Sequence, residues 1–193
     1  MTEPMEAAPC CATTELTIRK ASMQDIPALL ELINSYAAQE IMLARTELEM
    51  AENIRDFAVA FSGDELAGCG ALHFYTPTSA EVRSLAVAPA RKRSGVGRTI
   101  VETLEQEARA SGLEAIFAFT YEPEFFRRLG FSEVERGDLP LKAWKDCMRC
   151  PKFHCCDEIA VLKPLRGDIT RIRHHRSEAL LHISTAMPRQ RTR

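Results

Sequence analysis

The 193-residue sequence is 46% hydrophobic and 27% charged, with a formal net charge of −2, a balance typical of one globular domain. It contains no apolar run near the roughly 20 residues needed to cross a bilayer. The first 15 residues are acidic and lack the apolar core of a signal peptide. These features predict a cytoplasmic protein without a membrane partner.

Charge is distributed unevenly along the chain. Residues 163–193 hold eight Lys or Arg against two Asp or Glu, whereas the remainder holds 17 against 25. A basic tail can bind nucleic acid, but its RIRHHR stretch has no interleaved aromatic side chains to stack on bases. We therefore expect no nucleic acid partner, a disordered segment over 1–14, one domain over 15–163 and a flexible basic tail over 164–193.

The first half of the chain predicts a strand, two helices and a hairpin. ELTIRKA (15–21) alternates apolar and polar residues, as a half-buried strand does. Two capping boxes, beginning at positions 22 and 46, each precede a segment with helical periodicity. FAVAF and LAGCGALHFY, separated by SGDE, predict an antiparallel hairpin, and EVRSLAVA (81–88) predicts the next strand.

The second half alternates helices with short strands. A loop with two glycines precedes a helix that has one apolar face and ends at Gly112. AIFAFT predicts a strand buried on both faces, and EPEFFRRLG predicts a short helix. FSEVE and DEIAVLK predict the last strands. This order implies the α+β class, with a mixed sheet between two layers of helices.

The most informative segment is VAPARKRSGVG, residues 87–97. It joins a strand to a helix and places three consecutive cations, 91–93, directly before Gly95 and Gly97. Successive backbone N–H groups at such a turn converge on one point, and glycine lets a ligand approach closely. The segment contains neither GxxxxGK[ST] nor GxGxxG. It predicts a phosphate site at a helix N-terminus, and a solvated strand–helix connection is the alternative.

Four cysteines crowd into CMRCPKFHCC, namely Cys147, Cys150, Cys155 and Cys156. CxxC is a metal-knuckle spacing, but the second pair is adjacent and follows closely, whereas structural zinc sites separate their knuckles by about a dozen residues. Reduced thiols in a compact loop are therefore the preferred interpretation. A zinc or iron–sulfur site stays open as the alternative.

Two segments carry a resemblance to a known family. VAPARKRSGVG resembles the acetyl-CoA pyrophosphate loop of the GNAT acetyltransferases, V-x-P-x-x-[RQ]-x-x-G-x-[GA], with Lys at position 92 where the family usually has Arg or Gln. FFRRLGF (125–131) resembles the later family motif that closes in L-G-F. The resemblance covers about residues 16 to 163. It implies a three-layer α/β/α fold whose central sheet is mixed and mostly antiparallel, acetyl-CoA as co-substrate, and no metal in the chemistry.

Further segments narrow the resemblance. GCGALHFY, EVRSLAVAP, FAFTYEPEFFRRLGF and IMLAR are similar to the short-form N-acetylglutamate synthases, which lack an amino-acid-kinase domain. This similarity implies transfer of acetyl to the α-amine of L-glutamate, the first step of arginine biosynthesis. Glutamine or another amino acid, a protein N-terminus, and a non-enzymatic acetyl-CoA sensor are the alternatives. A homodimer is left open.

The resemblance also implies where the coenzyme would bind. It places the acetyl and pantetheine groups against Leu85, Ala86 and Val87, with a backbone N–H near Leu85 or Val87 facing the thioester oxygen. It places the pyrophosphate against the following loop, which comprises Lys92, Arg93, Ser94, Gly95, Val96, Gly97 and Arg98.

Three residues are candidates for binding and activating the acceptor. Glu81 is the candidate base, because many relatives have an acidic residue there and the ammonium of an amino acid must lose a proton; the alternative is an exposed carboxylate at the start of a strand. Arg45 occupies the position of a substrate arginine in the synthases, and Arg83 shares a strand face with Glu81. Arginine binds carboxylates through its planar fork; surface salt bridges are the alternative for both.

The general acid is not specified by the sequence. Phe126 stands where many GNAT enzymes have a tyrosine that protonates the departing thiolate. Tyr121 and Thr120 are polar neighbours whose reach toward the sulfur is open. Phe125 and Phe126 are assigned to the core.

Overall fold

The computed structural model describes residues 15–139, 148 and 150–167. The segment 1–14, residues 168–193 of the expected tail, and Cys147 lie outside this part of the chain. Within it the strands are β1 Leu16–Lys20, β2 Phe57–Ser62, β3 Glu65–Phe74, β4 Ser79–Val87, β5 Ala115–Thr120, β6 Ser132–Glu133 and β7 Ile159–Pro164. They form one sheet in the order β1-β2-β3-β4-β5-β7-β6. Neighbouring strands are antiparallel except β4 and β5, which run parallel.

The helices lie on both faces of this sheet. They are α1 Ile26–Ala37, α2 Glu47–Asn53, α3 Val96–Ala110 and α4 Pro123–Arg127. Alternation along β2 sends Ala58 and Ala60 into the core beneath α3, and Phe57 and Val59 into the core beneath α1 and α2. The predicted three-layer α+β fold is thus confirmed. No helix in the described part of the chain is long and apolar enough to span a membrane.

Local hydrogen bonds explain where the first two helices start. The N–H of Glu49 donates to the Thr46 hydroxyl at 3.3 Å, and the N–H of Thr46 donates to the Glu49 carboxylate at 2.9 Å, which completes a capping box. Before α1, the N–H of Ser22 donates to the Asp25 carboxylate at 2.7 Å. Both terminal nitrogens of Arg19 also donate to Asp25 at 2.8 Å and hold the pKa of that carboxyl well below its usual range.

Two glycines let α3 lie close to the sheet. A Cβ at Gly68 would lie 2.8 Å from the carbonyl oxygen of Ala86, and one at Gly70 would lie 2.9 Å from Cγ2 of Ile100. Neither position has room for a side chain. Glycine at these two positions therefore lets the backbone of β4 and Ile100 of α3 approach β3 closely.

The parallel strands β4 and β5 separate after a short pairing. They are in register at Ser79, Ala80 and Glu81, although β4 continues to Val87 and β5 to Thr120. A β-bulge accompanies the separation, because Gly70 of β3 faces two residues of β4 and Ser84 there has a φ of 51°. The two strand ends thus leave an opening between them.

Several element boundaries differ from the sequence expectations. β4 begins at Ser79, so Glu81 is its third residue rather than its first. The EPEFFRRLG helix ends at Arg127, and FSEVE contributes a strand of two residues. At the other end of the chain, β7 runs to Pro164, and the N–H of Leu165 donates to the carbonyl of Glu114.

Candidate active site

A cleft of about 1250 Å³ occupies the opening between β4 and β5. One wall is the end of α1 with the chain that follows it, and the other is formed by the end of β5, the start of α4 and part of segment 150–158. Small-molecule pockets usually enclose about 300–1000 Å³, so the cleft suits a long ligand. Every residue predicted for binding or catalysis lines it except Ser94, whose hydroxyl donates to the carbonyl of Arg91 at 2.6 Å.

The glycine loop forms the end of the cleft beside the N-terminus of α3. Gly95 caps the N-terminus of α3 with a φ of 90°, a conformation that glycine adopts without strain. A Cβ at Gly97 would lie 3.4 Å from Cγ2 of Val87 and 3.5 Å from the ring of Phe125, which is ordinary contact. The protein itself therefore accommodates a small side chain at 97, and glycine there keeps the surface open toward the cleft.

Positive charge surrounds the same helix N-terminus. Four cations of the loop and of the first turn of α3 line the cleft, namely Arg91, Lys92, Arg93 and Arg98. The N-terminus of a helix adds exposed N–H groups and the positive end of the helix dipole. This end of the cleft is therefore built to bind an anion.

Tyr36, on the last turn of α1, was not identified from the sequence. Its hydroxyl donates to the carbonyl of Val87 at 2.6 Å, and Nζ of Lys92 lies 4.9 Å above its ring. Tyr36 continues the apolar spacing of α1 and is buried, so the sequence gives it the pattern of a core residue. Its hydroxyl ties α1 to the end of β4.

Glu81 lies where β4 and β5 begin to separate. It is paired in register with Phe117 and is 8% exposed, so the alternative of an exposed strand-start carboxylate is wrong. The Tyr75 hydroxyl donates to its Oε2 at 3.1 Å. A buried carboxylate held in one orientation on the cleft wall is suited to accept a proton from a bound ligand.

The two candidate arginines reach the cleft in different ways. Asn34 of α1 clamps the main chain of Arg45, accepting from its N–H at 2.9 Å and donating to its carbonyl at 3.0 Å. Arg83 is 10% exposed, and its guanidinium donates to Asn53 at 3.3 Å and lies 3.9 Å from Asp56. Arg83 therefore belongs to a buried network beneath α2, and Arg45 is fixed through its backbone.

Tyr121 and Thr120, the two polar neighbours of the family's acid position, both form hydrogen bonds within the protein. Burial and a hydrogen bond to the Asp157 carboxylate raise the pKa of Tyr121. The Thr120 hydroxyl accepts the N–H of Glu122 at 2.9 Å. Phe126 is 4% exposed and packs in the core as predicted, while Phe125 lies beside Gly97.

The cysteine-rich segment contributes to the cleft, which the sequence did not indicate. Cys150, Cys156 and Glu158 line it, and burial raises the pKa of Glu158. Over the residues that the structure describes, no group of three or more His, Cys, Asp or Glu is arranged to hold a metal ion. The alternative of a four-cysteine metal site includes Cys147, which falls outside those residues.

Comparison with known proteins gives one matching family model. The model of the acetyltransferase (GNAT) family matches residues 24–131. An uncharacterized N-acetyltransferase of Chlorobaculum tepidum is 40% identical over 148 residues, covering 77% of this chain and 96% of that protein. An amino-acid acetyltransferase of Mycobacterium tuberculosis is 39% identical over 135 residues, covering 68% of this chain and 77% of that protein.

Solved structures give a consistent match. The N-acetylglutamate synthase from Neisseria gonorrhoeae, complexed with coenzyme A and N-acetyl-glutamate, superposes with a TM-score of 0.73 at 26% identity. That match covers 79% of this chain and 36% of the longer synthase. A Mycobacterium tuberculosis protein in complex with CoA superposes with a TM-score of 0.68 at 31% identity, covering 78% of this chain and 99% of that one.

The Asn34 clamp can be tested through stability. Replacing Asn34 by alanine removes both hydrogen bonds to the main chain of Arg45, and we expect the free energy of unfolding to fall by about 1–3 kcal/mol, measured by urea denaturation. Gln39→Ala, which loses one exposed bond to the carbonyl of Ser35, is the matched control and should change it by less than about 0.5 kcal/mol. Equal effects of the two substitutions would contradict a clamp.

Proposed function

Since the chain belongs to the acetyltransferase (GNAT) family, we propose that it transfers acetyl from acetyl-CoA to the α-amine of L-glutamate, as an N-acetylglutamate synthase acting at the first step of arginine biosynthesis. The observation that carries this proposal is that one cleft holds an anion-binding glycine loop, the buried carboxylate of Glu81 and the fixed arginine Arg45. Relatives named amino-acid acetyltransferase, and a structural neighbour solved with coenzyme A and N-acetyl-glutamate, support it.

The coenzyme would bind at the end of the cleft beside α3. The loop around Gly95 and Gly97 would receive the pyrophosphate, with N–H groups at the start of α3 and the surrounding cations offsetting its charge. The pantetheine arm would follow the edge of β4 over 85–87, where β5 has moved away. A long opening lined by main chain suits a ligand that carries amide groups along its length.

Acetyl-CoA supplies the acetyl group as a thioester, and the chain supplies position and a proton acceptor. Glu81 would take the proton from the ammonium of the acceptor, directly or through one water, which makes the amine nucleophilic. Holding both reactants in one cleft removes much of the entropic cost of their encounter. A backbone N–H at the β4 bulge, near Leu85 or Val87, would face the thioester oxygen.

The chain offers no tyrosine at the family's acid position, where Phe126 packs in the core. The Tyr121 hydroxyl already donates a hydrogen bond to Asp157, and burial and this contact raise its pKa. A thiol is a moderately acidic group, with a pKa near 8.5, so coenzyme A can depart as the thiolate. We therefore assign the acid role to no side chain.

Arg45 would bind a carboxylate of the acceptor. Its backbone is fixed by Asn34, so its guanidinium starts from a defined point on the cleft wall. Arg83 adds positive charge to the same wall, although Asp56 lies 3.9 Å from it. A cationic wall disfavours polyamine acceptors and favours acidic ones.

The proposal is tested by incubating the protein with acetyl-CoA and each of the twenty amino acids. Because the chain has seven cysteines of its own, the acetylated product should be followed by mass spectrometry rather than by a thiol indicator alone. We expect N-acetylglutamate to form fastest. Product from glutamine alone, or from basic amines alone, would assign a different acceptor; no product from any amino acid, together with retained acetyl-CoA binding, would favour the sensor alternative.

Glu81→Gln tests the proton acceptor. We expect kcat to fall by about 10²- to 10⁴-fold, because the amide keeps the shape of the side chain and loses its basicity. Affinity for acetyl-CoA should stay within about twofold of the original protein. Glu31→Gln, which changes an exposed carboxylate on α1, is the matched control, and an unchanged kcat in Glu81→Gln would remove Glu81 from the chemistry.

Gly97→Glu tests the coenzyme loop. The new side chain would project into the anion site and carry a negative charge toward the pyrophosphate, so we expect affinity for coenzyme A to drop at least about tenfold. A glutamate in the first turn of a helix is compatible with the helix dipole, so α3 should still form. Gln106→Glu adds the same charge on an exposed position of α3 and should leave calorimetric affinity unchanged; equal losses in both variants would argue against this site.

A further inference from the structure

We propose that Lys152, in the cysteine-rich segment 150–158, binds the side-chain carboxylate of the acceptor and thereby sets the preference for an acidic amino acid. This inference rests on the proposed function and adds a specificity-determining residue to it. It assigns a role to a stretch of sequence that neither the glycine loop nor the family motif includes.

Segment 150–158 forms part of the wall opposite Arg45. Cys150, Lys152 and Cys156 line the same cleft as Arg45 and Glu81. The segment leads directly into β7, whose first residue pairs with the last residue of β5. A side chain from this segment therefore lies beside the opening between β4 and β5.

Arg136 holds the segment in this position. Its guanidinium donates to the carbonyl of Glu158 and lies 3.1 Å from Sγ of Cys156. The same group lies 5.8 Å above the ring of Phe119 on β5. These contacts fix the C-terminal half of the segment against the sheet, so Lys152 extends from a supported loop.

Lys152 reaches across to the wall that carries Arg45. Its Nζ donates to the carbonyl of Glu40 at 3.2 Å and lies 3.8 Å from the Glu40 carboxylate. On its own side the same Nζ lies 5.3 Å above the ring of Tyr121. Glu40 has a left-handed backbone with a φ of 58°, and the chain continues from it to Arg45. Lys152 thus joins the two walls of the cleft.

The carboxylate that faces Lys152 is easily replaced by one from a ligand. Glu40 is 81% exposed, and ion pairs formed with such exposed groups contribute little. Arg83, by contrast, is held by Asn53 and Asp56 and is nearly buried. An entering carboxylate can therefore exchange with Glu40 at Lys152 at small cost.

Glu40, which Lys152 contacts, and Arg45 flank one short stretch of chain. The stretch 41–44 between them is Ile-Met-Leu-Ala and lines the cleft. Five residues span at most about 18 Å, which limits how far Arg45 can lie from Glu40, the contact of Lys152. Two cations separated by an apolar wall match an acceptor with two carboxylates joined by methylene groups.

The test compares L-glutamate with L-glutamine, which has nearly the same shape and a neutral side chain. Kinetic constants are measured for glutamate, and glutamine is measured as a competing ligand. In Lys152→Gln we expect the KM for glutamate to rise about tenfold or more, with kcat and the constant for glutamine within about twofold of the original protein. Lys152→Arg should recover most of the glutamate affinity.

Two further variants separate a binding role from a structural one. Glu40→Gln keeps the carbonyl that accepts from Lys152 and removes the competing carboxylate, so the KM for glutamate should fall about twofold; a rise would count against the inference. Lys20→Gln breaks an ion pair with Glu107 outside the cleft and should change neither constant.

The outcomes distinguish this inference from the proposed function. If Lys152→Gln raises the constants for glutamate and glutamine equally, or changes neither, Lys152 does not bind the side-chain carboxylate. The inference then fails, while the proposed function stands. If the original protein binds acetyl-CoA and acetylates no acidic amino acid, the proposed function fails and the inference fails with it.

Discussion

The separation of β4 from β5 is the constraint on which the rest of the site depends. Parallel strands that stayed paired would close the sheet and satisfy each other's backbone groups. Here pairing stops at Glu81, and the bulge at Ser84 turns the remaining part of β4. The opening lets a long ligand lie against main chain, and it places a buried carboxylate at its inner end and a helix N-terminus at its outer end.

Much of the fold follows from local signals in the sequence. Capping boxes mark the starts of the first two helices, alternation marks β1, and the two-glycine loop marks the start of α3. Each signal acts within a few residues, so no knowledge of the partner element is needed. The same holds for the anion site, because its cations and its helix N-terminus are contiguous in the chain.

The features that sequence reasoning missed depend on contacts between distant segments. Asn34 and Tyr36 look like an ordinary polar and an ordinary core position of a helix, and their roles come from the chain around Arg45 and Val87. The burial of Arg83 arises only when Asn53, at the end of α2, and Asp56, just after it, come against β4. The cysteine-rich segment has no periodicity that would reveal which wall of the cleft it covers.

One helix holds both the end of β4 and the chain that carries Arg45. Tyr36 holds the end of β4, where the coenzyme arm would lie, and Asn34, two residues earlier, holds the chain that carries Arg45. Residues two positions apart in an α-helix are separated by about 3 Å along its axis. A helix keeps this spacing, whereas a loop can change it. In the proposed complex, a rigid helical turn would therefore set the distance between the acyl donor and its acceptor, and a displacement of α1 would shift both binding positions together.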